Sequence, residues 1–179
     1  MLRAYDGYAP PAQARSVSAS DRERRAVVGA YIKKFRGAGV PKESVDAWLE
    51  NAAGLVHLEV LVRGAGRLPR AGDRLTLHLL MAAPGGSEAD GLTVVLDSRA
   101  DAAGTQAAGR ALEVRLGDGA VIPGLEMALA QMQAGESAEF TLPPELAYGE
   151  AGLLPALLPG RPLFCRVELL SVLPAAGQM

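Results

Sequence analysis

Few residues of this chain carry the side chains of covalent or metal chemistry, and their placement argues against both. There are two histidines, His57 and His78, and one cysteine, Cys165. A zinc site needs several Cys, His or carboxylate ligands brought together, and covalent catalysis needs a nucleophile with a base beside it. Each histidine falls on the polar phase of an alternating stretch and has no partner at ligand spacing. No metal and no organic cofactor are expected. A single cysteine also rules out an internal disulfide framework, and Cys165 is expected to serve as a small core residue. Gly117-Asp118-Gly119 has the outline of a phosphate loop, but no Gly-Lys-Ser/Thr follows it, so a turn is expected there. No Ser/His/Asp or Cys/His constellation is present.

Composition narrows the partners. The 179 residues are 49% hydrophobic, 21% charged and 4% aromatic, and eighteen Lys and Arg stand against twenty Asp and Glu. With a formal net charge of -2 there is no global basic field to attract a phosphate backbone, so a nucleic-acid partner is not expected. No apolar run approaches the roughly 20 residues that a membrane-crossing helix requires. The expectation is a soluble or peripheral protein without a transmembrane segment, with one domain of ordinary size and an extension.

The extension and the domain differ in chemistry. Residues 1–54 hold nine basic and six acidic side chains, together with Tyr5, Tyr8, Tyr31, Phe35 and Trp48, five of the eight aromatics. Ser20-Asp21-Arg22-Glu23 has the form of a capping box, which predicts a helix from about 21 to 36 with Val27, Val28, Tyr31, Ile32 and Phe35 along one side. Gly37 and Gly39 stop it. Pro41 opens a second short helix that buries Val45, Trp48 and Leu49, so a helical hairpin is expected. The first 20 residues have some of the Arg, Ser and Ala character of a transit peptide. Asp6, Pro10-Pro11 and the lack of an apolar run point instead to a stretch that persists in the mature chain.

From Val56 the periodicity becomes two. Val56, Leu58, Val60 and Val62 are expected on one buried strand face, and Leu75, Leu77 and Leu79 on another. Further strands are expected at 94–97, 112–116, 137–142 and 163–172. One helix, Gly124–Met132, presents Leu125, Ala128, Leu129 and Met132 as a single apolar side. Antiparallel strands closing on one short helix make an α+β arrangement, and the small-residue stretch Asp101–Gly109 is expected to be a surface loop.

The order of landmarks resembles the FKBP family of peptidyl-prolyl isomerases. The residues that carry the likeness are Gly64-Ala65-Gly66, Pro69, Gly72-Asp73, His78, Leu96-Asp97-Ser98, Leu116-Gly117, Val121-Ile122-Pro123-Gly124-Leu125-Glu126, Met132, Gly135-Glu136, Leu142-Pro143-Pro144, Ala147-Tyr148-Gly149 and Val167-Glu168-Leu169-Leu170. The resemblance implies an FKBP-like antiparallel half-barrel of five or six strands wrapped around the helix, spanning residues 55–174. Residues 1–54 form the extension and 175–179 a tail. It also implies a prolyl pocket between sheet and helix. Rotation about an X–Pro bond meets a barrier of about 18–20 kcal/mol from amide resonance, so a catalyst need only favour the twisted amide.

By resemblance, the catalytic positions are Asp97, the Ile122 backbone amide and the Tyr148 hydroxyl, and the substrate-binding positions are Leu79, Leu96, Leu112, Val121, Leu125, Leu153, Leu157 and Cys165. The family's aromatic walls are replaced: Leu79 stands where tyrosine is usual, Leu96, Leu112 and Cys165 where phenylalanine is, and Leu125 at the tryptophan floor. Plainer readings stay open beside these. Tyr148 ties down its own turn, Asp97 caps or pairs with Arg99, and the leucines fill the slot as core. The resemblance implies an isomerase of weak activity on proline-containing protein substrates. The alternative is an inactive FKBP-like structural or assembly subunit docked in a complex through residues 1–54. Arg25, Tyr31, Phe35, Arg36 and Trp48 would then meet an acidic protein surface, or anionic lipid. Likeness to the divergent plastid members suggests the chloroplast, in the thylakoid lumen, and otherwise the cytoplasm.

Overall fold

The computed structural model describes residues 56–85, 91–100, 109–154 and 156–176. The expected helical hairpin, its partner-facing residues and most of the Asp101–Gly109 loop lie outside them. The described elements are β1 (Glu59–Val62), β2 (Arg74–Pro84), β3 (Leu92–Asp97), β4 (Leu112–Arg115), α1 (Pro123–Leu129), β5 (Ser137–Leu142), a 3-10 turn (Pro144–Leu146) and β6 (Leu163–Leu173). The six strands form one antiparallel sheet in the order β1-β5-β6-β2-β3, with β4 joining β2 as well. This is the antiparallel sheet with one short helix that the sequence led us to expect.

Strict alternation makes β2 and β6 the centre of the sheet. Leu75, Leu77, Leu79 and Met81 on β2, and Leu163, Cys165, Val167 and Leu169 on β6, are buried, while the residues between them are not. Antiparallel register lines these side chains into rows across the inner face. One row runs Phe140, Cys165, Met81, Leu96. The next runs Ala138, Val167, Leu79, and a third Leu169, Leu77, Leu112. Helix α1 and Met132 complete the core on which these rows pack.

Two expectations need correction. Helix α1 ends at Leu129, three residues before the expected Met132, and it is buried on every side from Gly124 to Leu129, including Glu126. Gly124 shows why: a Cβ there would fall 2.6 Å from a Leu142 methyl and 2.8 Å from the Leu146 carbonyl oxygen. The helix touches the chain around it too closely to leave a polar side. Strand β1 differs in the other direction. Val60 and Val62, expected on a buried face, are 44% and 56% exposed. Val60 is in register with Ala138 on the core side, but β1 is the edge of the sheet, beyond the reach of a seven-residue helix. Of the expected face, Val56 is buried and Leu58 half-buried.

Candidate functional site

Helix α1 begins at Pro123, whose fixed φ suits a first helical position, with Ile122 as the extended residue before it. The Ile122 carbonyl accepts from Leu125 and Glu126. Its N–H has no acceptor among the described residues. Val121 and Ile122 are half-buried and pack on the core, as do Leu96, Leu112 and Tyr148. Beneath them Leu79, Leu125, Leu157 and Cys165 are all buried.

Tyr148 follows the 3-10 turn. That turn is secured by backbone bonds, from Gly149 N–H to the Pro144 carbonyl at 2.8 Å and from Gly152 N–H to the Tyr148 carbonyl at 3.2 Å. The Tyr148 hydroxyl makes no hydrogen bond among the described residues. Burial, with the Cys165 thiol alongside, pushes that hydroxyl above its ordinary 10.0. Burial also drives the Cys165 thiol far up, so it stays protonated and inert. In the following loop Leu153 and Leu157 pair through two backbone bonds of 2.9 Å, which buries Leu157 and leaves Leu153 exposed at the tip.

Asp97 has different surroundings. By register it belongs to a row on the outer face with Leu80, Arg166 and Glu139. Asp97, Leu80 and Arg166, together with Leu61, Val62, His78 and Arg99, help line a hollow of about 340 Å³. An Asp97 carboxylate oxygen accepts the Arg99 backbone N–H at 2.9 Å, so it caps Arg99, whose guanidinium pairs with Glu168. Arg166 pairs with Glu139. His78 lies 3.2 Å from the Ser98 hydroxyl, which also accepts the Leu79 N–H at 2.9 Å. Among the described residues no group of three or more His, Cys, Asp or Glu could hold a metal, and no helix is long and apolar enough to cross a membrane.

One residue escaped the sequence reading except as a letter of the motif. Glu126 is fully buried, and its carboxylate accepts Gly117 N–H at 2.7 Å and Gly119 N–H at 3.2 Å. Both glycines have positive φ, 85° and 68°, which keeps the turn tight enough to point its amides at the helix. The signal lay in the sequence: a carboxylate on the first turn of an apolar helix, seven and nine residues after two glycines.

Comparison with known proteins agrees with this geometry. The model of the FKBP-type peptidyl-prolyl cis-trans isomerase family matches residues 66–170. Similar proteins include the FKBP-type 22 kDa peptidyl-prolyl cis-trans isomerase of Escherichia coli K12, 33% identical over 152 residues, which are 85% of this chain and 65% of that one. FK506-binding protein 1A of Emericella nidulans is 31% identical over 118 residues, 65% of this chain and 97% of that protein. The isomerase FkpA of Escherichia coli K12 is 30% identical over 162 residues, 87% of this chain. This chain spans 58% of FkpA's length. From the buried helix at Ile122-Pro123-Gly124 to the family match across the same strands, these findings agree: the chain belongs to the FKBP-type peptidyl-prolyl cis-trans isomerase family.

Proposed function

We propose that this domain is a prolyl cis-trans isomerase of low efficiency, acting on X–Pro bonds in protein substrates. The supporting observation is a pair of donors, the Ile122 N–H and the Tyr148 hydroxyl, that find no acceptor among the described residues and sit on half-buried members of one apolar cluster. Half-buried donors not used within the fold remain available to an incoming carbonyl that takes the place of water.

The proline ring rests on the rim formed by Leu96, Leu112 and Val121, over Leu79, Leu125, Leu157 and Cys165. Apolar surroundings strip water from the amide, and the two donors hold its carbonyl as the C–N bond twists and loses resonance. No proton is transferred and no bond breaks. The reading asks nothing of Asp97, which caps Arg99. Low efficiency follows from the aliphatic walls. Flat rings add about 0.5–1.5 kcal/mol per contact beyond area burial, and each ~1.4 kcal/mol lost from the transition state costs ten-fold in rate.

Catalytic amounts of the full chain added to a proline-limited refolding reaction test this. The phase of tens of seconds is expected to accelerate, and Tyr148→Phe to lower the acceleration about three- to ten-fold, as loss of one neutral hydrogen bond requires. No acceleration at any concentration would sink the proposal. The burial of Leu79, Leu125, Leu157 and Cys165 favours a second reading, in which leucines close the slot and the scaffold serves only to bind. A null result in that assay selects it.

A further inference from the structure

Resting on the isomerase reading, we infer that Glu126 is a positioning residue: its buried carboxylate clamps the Gly117–Gly119 turn and thereby fixes the Ile122 N–H that meets the substrate carbonyl. Glu126 is fully enclosed, and two backbone N–H groups from a separate turn donate to its two oxygens, at 2.7 Å and 3.2 Å. Releasing either bond would leave a buried acceptor unsatisfied, which carries a desolvation penalty. A carboxylate placed wholly inside a protein is costly unless its bonds repay the lost water, which limits how far the turn can drift from the helix.

The chain between the clamp and the helix is short. Only Ala120 and Val121 separate Gly119 from Ile122, and Pro123 starts the helix immediately afterwards. Ile122 is thus held from both sides. Its carbonyl is bonded into α1 at 3.0 Å and 3.2 Å, and Glu126, on that same helix, holds the stretch that precedes it. The other strand-proximal end of the turn is also fixed, since Leu116 N–H donates to the Asp73 carbonyl at 3.0 Å and Gly72 N–H to the Leu116 carbonyl at 2.8 Å. With the Gly117–Gly119 turn held at one end and the helix at the other, the short stretch that carries Ile122 has little slack. Catalysis by hydrogen bonding depends on donors held in place before the substrate arrives, and displacement by about 1 Å can cost on the order of a hundred-fold.

The full chain and the variants Glu126→Gln and Glu126→Ala decide this. Rate is measured on a proline-containing peptide, and amide proton shifts and hydrogen exchange of Gly117, Gly119 and Ile122 are measured by nuclear magnetic resonance. In Glu126→Ala, exchange at Gly117 and Gly119 is expected to quicken, and kcat to fall on the order of ten-fold or more, with KM changed less than two-fold. Glu126→Gln matches the shape and still offers one acceptor oxygen, so it should keep the fold and recover part of kcat. A folded Glu126→Gln or Glu126→Ala with freed glycine amides and wild-type kcat overturns the inference. So does a loss that falls entirely on KM, or one that disappears when rates are corrected for the folded fraction. Should wild type itself show no turnover, the isomerase reading fails. The clamp is then judged by the resonances alone, and an unshifted Ile122 amide in Glu126→Ala would reject it.

Discussion

The two faces of the sheet solve opposite problems with the same strands. The inner face carries three rows of aliphatic and aromatic side chains sealed against α1. The outer face carries rows in which charges alternate and pair, Arg166 with Glu139 and Arg99 with Glu168, around an open hollow. Because successive residues point to opposite faces, each strand contributes to both. Stability is thereby separated from surface chemistry, and a change on one face should be felt very differently from its neighbour one residue along.

The largest effect is expected where the inner rows meet. Among the described residues Phe140 is the one aromatic side chain fully inside the core, and it stands in register with Cys165. Phe140→Ala should cost about 3–5 kcal/mol of stability, read as a fall in denaturation midpoint. A cost below about 1 kcal/mol would show the inner face to be loosely packed. A smaller but pH-dependent effect belongs to Asp73, which is fully buried at the edge of β2. Burial opposes its ionisation, but the Arg67 guanidinium and the N–H groups of Arg70 and Ala175 outweigh it and hold the carboxyl below its usual 3.8. A carboxyl depressed on folding stabilises the native state above its unfolded value, and that contribution drains away as pH falls through the folded value. Acid titration of stability should therefore steepen below about pH 4 in the wild type and flatten in Asp73→Asn. Parallel curves would show that the Asp73 bonds do not contribute to stability. The smallest effect is expected outside. Arg99 and Glu168 are both substantially exposed, so Arg99→Ala should change stability by less than about 1 kcal/mol. A larger loss would mean that the outer ladder helps hold the sheet.

The fold was largely legible in the sequence. Alternation at Leu75, Leu77 and Leu79 marks β2 because a two-residue period has only one physical cause, and the apolar spacing from Leu125 marks α1. What pattern cannot supply is distance from the helix. Val60 keeps the inward phase yet stays exposed, since burial depends on what stands opposite and not on periodicity. The site was legible in part. Ile122 and Tyr148 are marked by the motif, whereas the lack of an acceptor for their donors among the described residues is a property of the folded chain alone. The sequence marks Asp97 by its place after Leu96, and the register adds Leu80, Arg166 and Glu139 as its neighbours. Glu126 was read as one letter among many, because a carboxylate on an apolar helix discloses its purpose only when the turn it grips is in view.

The position of β6 between β5 and β2 has a bearing on biosynthesis. Its residues 164–173 pair with residues 74–82, a separation of some ninety positions, and contacts so far apart along a chain make for slow assembly. On the ribosome, β2 would emerge with an unmatched row of leucines and wait for most of the domain to be translated before its neighbour arrived. Nascent molecules of this protein would thus pass through an interval of exposed aliphatic surface, the condition in which chaperones are most needed.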